Sequence, residues 1–159
     1  MSKVAKLLRT PPADLLLIAR AWCLFAYVDW VIGRRDYARW PQWMKIKAGD
    51  ERREGEDHRN AGDRTARIIR LSEIAGRHHL KPMNCLRRCL VQRRLLRKLI
   101  GVRAELVLGV KTEGGFGAHS WLTVGDDVIN DSLQNLAQYN ALAGSGNASP
   151  VMNTLLNGD

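Results

Sequence analysis

The spacing of apolar residues changes along the chain, and each change marks an element. Ala13 to Val31 is rich in Leu, Ile and Ala with Trp22, Phe25 and Trp30 among them; it follows Pro11-Pro12 and stops before Gly33. Proline at the start and glycine past the end predict a buried or docking helix. Arg64 to His79 reads as a second helix with Ile68, Ile69, Leu71 and Ile74 on its apolar side, ended by Lys81-Pro82. Asn84 is an N-cap residue type, so a third helix is expected over Cys85 to Ile100, closed by Gly101. At 100° per residue, Leu86, Cys89, Leu90, Leu96 and Ile100 share one face with Cys85 at its margin, and Arg87, Arg94, Arg97 and Lys98 gather elsewhere.

After Gly101 the period falls to two. Val102 to Val110 predicts a strand. Ala118 to Val124 alternates His119, Trp121 and Thr123 against Ser120, Leu122 and Val124, and Gly125-Asp126-Asp127 turns it into a short strand over Val128 to Asn130. Between helices and strands the character differs again: Trp40 to Asp63 mixes Pro41, Gly49, Gly55 and Gly62 with dense charge and reads as a solvated linker, while the tail from Gly144 reads as loosely held. The expected organisation is a helical extension and linker over 1–63, an α+β core over 64–143, and a tail over 144–159.

Composition narrows the class of protein. A chain of 159 residues with 45% hydrophobic and 26% charged residues suits one folded domain. The net charge is +9, and Arg77 to Arg103 holds nine Lys or Arg and no acid, so the whole excess lies in one stretch that favours an anionic partner. Nucleic acid is not expected, because no recognised motif or interleaved aromatics accompany the charge. Three cysteines without secretory features argue against a disulfide framework and for a reducing, cytoplasmic setting. Asp14, Arg20 and Asp29 interrupt the apolar N-terminal stretch, so no transmembrane span is expected.

The chemistry concentrates at three positions. A thiol attacks as thiolate, and a helix N-terminus lowers its pKa; Cys85 is expected there, where free N–H groups would also hold an oxyanion. Arg87 and Arg88 would add to thiolate stability if they point inward. His119, after the Gly-rich loop from Thr112 to Gly117, and Asp131, at the end of the next short strand, would sit side by side on a hairpin as base and orienter. Spacing alone leaves buried thiols as the bland alternative, the expected fate of Cys23 and Cys89. Trp121, on the face of His119, reads equally as a wall of the site or as core. His78 and His79 read as the end of the second helix. Cys85, Cys89, His78 and His79 match no usual zinc spacing, so neither a metal nor a cofactor is expected.

Cys85-Leu86-Arg87-Arg88-Cys89-Leu90, Leu95-Leu96-Arg97, Gly101-Val102, Leu106-Val107-Leu108-Gly109-Val110, Phe116-Gly117-Ala118-His119-Ser120-Trp121 and Ile129-Asn130-Asp131 together resemble the lasso-peptide B protein family. These are transglutaminase-like leader peptidases of ribosomally made peptides. The resemblance covers Cys85 to Asp131 and implies a papain-like or transglutaminase-like α+β fold, with nucleophile, base and acid on Cys85, His119 and Asp131. Cys89 departs from the small Ser or Ala usual at its position. The roughly 80 residues before Cys85 do not supply the leader-binding winged helix of fused members.

The resemblance thus implies a stand-alone cysteine endopeptidase acting on a precursor of leader plus core. A separate leader-binding protein would present that precursor, and an ATP-dependent cyclase would follow. An extended peptide is expected to pass over Gly115, Phe116 and Gly117 beside Trp121, with Arg87, Arg94, Arg97 and Lys98 docking the partner. The rivals are a non-catalytic peptide-binding module of the same fold and an acyl transferase using the same three residues.

Overall fold

A computed structural model describes residues 10–45 and 58–142. Helix α1 (Pro12–Arg34) is followed by two short 3-10 turns (Tyr37–Arg39 and Gln42–Met44), helix α2 (His58–Arg77) and helix α3 (Cys85–Ile100). Strands β1 (Glu105–Lys111), β2 (Gly117–Val124) and β3 (Asp127–Val128), the one-turn helix α4 (Leu133–Leu136) and strand β4 (Asn140–Ala141) complete an antiparallel sheet in the order β3-β2-β1-β4. The predicted helices and strands are present with shifted bounds: α2 begins at His58 rather than Arg64 and ends at Arg77 rather than His79, β1 begins three residues later than expected, and β3 covers Asp127–Val128 rather than Val128 to Asn130.

Helix α3 has the ends its sequence dictates. Asn84 Oδ1 accepts the Arg87 amide at 3.1 Å, and Gly101 adopts a left-handed conformation (φ 73°) that a side chain would resist. Its apolar face buries Leu86, Leu90 and Leu96 against Leu106, Leu108 and Leu122 of the sheet. Phe25, Val28 and Val31 of α1 belong to the same cluster, so the N-terminal helix is part of the core rather than an appendage to it. The division expected at 63/64 falls inside α2, which begins at His58.

The supposed solvated linker also differs in its first part. Trp40 is 3% exposed and Met44 is fully buried. Trp40 Nε1 donates to the Arg35 carbonyl at 3.0 Å, and Arg93 of α3 donates to the carbonyls of Trp43 and Lys45. Three-residue turns carry no period, so an aromatic and a methionine among Pro, Arg and Gln read as solvated while they fill the core. The charged stretch 46–57 and the tail 144–159 lie outside the described residues.

By length and composition α1 is the one described helix apolar enough to cross a bilayer. Both acids that interrupt it are paired. Asp14 accepts from Arg67 of α2, with Nε at 2.8 Å, and Asp29 pairs with Lys81 and Arg87, each at 3.1 Å.

Candidate active site

Cys85 opens α3, and the register of the sheet brings its partners to it. β1 and β2 pair with Gly109 opposite His119 and Leu108 opposite Ser120. The turn through Gly125 (φ 61°) returns the chain along β2, and Ile129 N–H donates to the Leu122 carbonyl at 3.0 Å, carrying the hairpin past β3 to Asp131. His119 Nε2 then meets Asp131 Oδ2 at 2.5 Å, and the same imidazole hydrogen-bonds the Cys85 thiol. With Nε2 taken by the carboxylate, Nδ1 is the nitrogen left for sulfur.

Each member of this row is tuned. Burial pushes the Cys85 thiol up, but hydrogen bonds from His119 and from the Ser120 side chain and backbone, with the imidazolium charge, bring it below its ordinary value. His119 is raised, chiefly by its bond to Cys85, against the opposing effect of burial, and Asp131 supports the same direction. Burial raises Asp131, yet His119, Asn135 and the Ser132 amide outweigh it and hold the carboxyl below its usual range. The carboxylate is fixed from the far side: Ser132 N–H donates to Oδ1 at 2.7 Å, and Asn135 Nδ2 bonds both oxygens at 3.0 and 3.2 Å.

A thiol held below its ordinary pKa, an imidazole held above its own and an oriented carboxylate side by side at a helix N-terminus suit nucleophilic attack on a carbonyl followed by protonation of the leaving group. Trp121 is 6% exposed, outside the main apolar cluster, and its ring stacks on His119 with centroids 6.2 Å apart. It walls the imidazole. Tyr139 stands on the ring too, at 5.1 Å. Gly109 makes room for both: a Cβ there would lie 2.7 Å from the Trp121 ring and 3.1 Å from Tyr139 Cβ.

Other expected site residues are placed less uniformly. Phe116 is 63% exposed at the tip of the loop leading into β2, and Gly115 beside it has φ 111°. Gly117 lies within β2 opposite Lys111. The four basic residues do not form one free face. Arg87 is committed to Asp29 and Arg94 lies over the Trp43 ring at 4.9 Å, which leaves Arg97 and Lys98 exposed. The idea that Arg87 and Arg88 stabilise the thiolate is also corrected. Arg88 pairs with Glu73 at 3.4 Å, so both guanidiniums serve acids, and His119 and Ser120 act on the sulfur.

Ser120, Asn130, Asn135 and Tyr139 were not assigned roles by sequence reasoning. The first two adjoin His119 and Asp131 inside the recognisable motifs. Asn135 was readable only as the third residue after the N-cap Ser132, whose hydroxyl accepts its amide at 3.2 Å.

The family model of the transglutaminase-like superfamily matches residues 26–144. The chain belongs to that superfamily, whose members are usually catalytic and cysteine-based. The match begins inside α1, in keeping with a core shared by that helix. No curated protein and no solved structure matches the chain.

Proposed function

We propose that this chain is a cysteine endopeptidase that removes the leader from a ribosomally made lasso-peptide precursor, in the cytoplasm, with a separate leader-binding protein presenting the substrate. The observation that carries the reading is the alignment of Cys85, His119 and Asp131, with the 2.5 Å bond from imidazole to carboxylate. The motif resemblance from Cys85 to Asp131 directs it to leader removal, and superfamily membership supports the acyl chemistry.

The Cys85 thiolate attacks the scissile carbonyl, forming the S–C bond and an oxyanion held by amides at the helix N-terminus. As the C–N bond breaks, the His119 imidazolium gives its proton to the departing amine, and the core peptide leaves with a free N-terminus. The leader stays as a thioester on Cys85. Neutral His119 then takes a proton from water, the hydroxide adds to the thioester, and the C–S bond breaks to restore thiolate and imidazolium while the leader leaves as a carboxylic acid that gives its proton to solvent. Asp131 holds the ring and its charge throughout.

The test is mass spectrometry of precursor incubated with enzyme and the leader-binding protein. Wild type should yield leader and core, faster with the partner than without it. Full cleavage by Cys85→Ala would remove the nucleophile and favour the binding-module reading.

A further inference from the structure

Behind the row of Cys85, His119 and Asp131 runs a second row one residue or one turn away: Cys89, Ser120 and Asn130. Cys89 Sγ donates to the Ser120 carbonyl at 3.3 Å and receives the Ser120 hydroxyl at 3.7 Å and Asn130 Nδ2 at 3.3 Å. Asn130 Nδ2 also donates to Gln92 Oε1 at 2.8 Å, and its Oδ1 accepts the Leu122 amide at 2.8 Å. Gln92, fully buried, donates through Nε2 to Glu73 Oε1 at 2.8 Å, and Arg88 pairs with that carboxylate.

The donor and acceptor order in this chain has one solution. A carboxylate at Glu73 accepts only, so Gln92 must turn its NH₂ toward Glu73 and its oxygen toward Asn130. Asn130 must then turn its own NH₂ toward Gln92 and Cys89, which leaves its oxygen for the Leu122 N–H. The Gln92 and Asn130 amides are satisfied only in this arrangement, and reversing one of them would set oxygen against oxygen. The chain joins α2, α3, β2 and the segment after β3. It meets the site at the residue after His119 and the residue before Asp131.

We propose that Asn130, clamped by Cys89 and Gln92, is the positioning residue that holds His119 and Asp131 at working distance from Cys85. The clamp rests on the catalytic reading of that row. Cys89 suits the task as an inert thiol: buried, it bonds three polar atoms and adds no competing nucleophile.

The experiment measures iodoacetamide alkylation of Cys85 against pH in the full-length protein, read by mapping the Cys85 peptide, with thermal unfolding as the check on folding. Asn130→Leu fills the space without polar atoms. It should raise the alkylation midpoint by about one pH unit and lower the rate about tenfold at pH values below the wild-type midpoint, since thiolate falls tenfold per unit below its pKa. Cys89→Ser keeps donor and acceptor and should stay within about twofold of wild type, whereas Cys89→Ala should shift in the direction of Asn130→Leu. A folded Asn130→Leu with the wild-type midpoint overturns the clamp. Where Asn130→Leu fails to fold, equal midpoints for Cys89→Ser and Cys89→Ala overturn it instead. If wild-type Cys85 titrates as it does in the urea-unfolded chain, the catalytic reading itself fails and the clamp with it, a result distinct from an unshifted variant.

Discussion

Cys85 and Cys89 lie one turn apart on the same helix, and their surroundings drive them in opposite directions. Cys85, at the first position of α3, touches His119 and Ser120 and is held below an ordinary thiol. Cys89 is 1% exposed, and although Asn130 and Ser120 bond its sulfur, burial pushes it up to about 12. The contrast shows that hydrogen bonds alone do not make a thiolate here. The difference is burial first and partner second: Cys89 is wholly buried among neutral groups and feels the unfavourable charge of Cys85 and Asp131, while Cys85 is less deeply buried and bonds the His119 imidazole, whose charge adds to the effect.

The largest test of this contrast is to delete each sulfur. Cys85→Ala should lower precursor cleavage by at least about 10³-fold, as loss of a nucleophile does, while Cys89→Ser retains most of it. Cleavage rates measured side by side decide, and a Cys89→Ser loss as deep as that of Cys85→Ala would erase the distinction.

Next comes the acid that holds the imidazole beside Cys85. Asp131→Asn should cut cleavage about tenfold or more by weakening the imidazolium. The stability signs follow from the directions of the shifts. Asp131 is depressed, so its contribution is present above the ordinary value of 3.8 and is lost as pH falls through its folded value. His119 is raised, so its contribution is complete below the ordinary 6.5 and is lost as pH rises through its folded value. The melting-temperature deficit of Asp131→Asn should therefore be greatest between about pH 4 and 6.5 and shrink on either side. A deficit independent of pH would mean that the pair is not electrostatic.

A smaller effect is expected where packing serves the site. Gly109→Ala sets a methyl into the Trp121 ring, a clash costing roughly 1–3 kcal/mol. Denaturant unfolding should register the loss, and His119 should lose its stacked wall. Unchanged stability would show that Trp121 shifts freely.

The least effect belongs to the residual basic surface. Reversing Arg97 and Lys98 to Glu should slow association with an acidic leader or its carrier, by no more than about 1 kcal/mol per exposed charge, and the difference should vanish at high salt. Stopped-flow association at two ionic strengths measures it. Turnover at saturating substrate should be unaffected.

Much of this site is legible in the sequence because local rules govern it. Asn84, Cys85 and Gly101 announce both ends of α3, and alternation from Ala118 to Val124 places His119 on a strand. Asp131 was expected to end a short strand; it lies beyond Asp127–Val128, carried there by one further backbone bond, Ile129 to Leu122, and by the Asn130 side chain. Tyr139 and the two-residue β4 were missed because elements so short have no period, and their placement depends on β1. The polar row through Gln92 and Glu73 was hidden for another reason. A glutamine on a basic helix reads as solvated, and only the packing of α2 on α3 shows that Gln92 is buried against a carboxylate. The free basic face failed likewise, since Asp29 lies 58 residues before its partner Arg87.

The most direct test of the central claim is site-resolved alkylation of Cys85 and Cys89 in the native wild-type protein across pH. The account predicts that Cys85 is modified with a midpoint below that of the same cysteine in the unfolded chain, while Cys89 stays unmodified until the protein unfolds. Cys85 titrating no lower when native than when unfolded, or Cys89 reacting alongside it, would contradict the account.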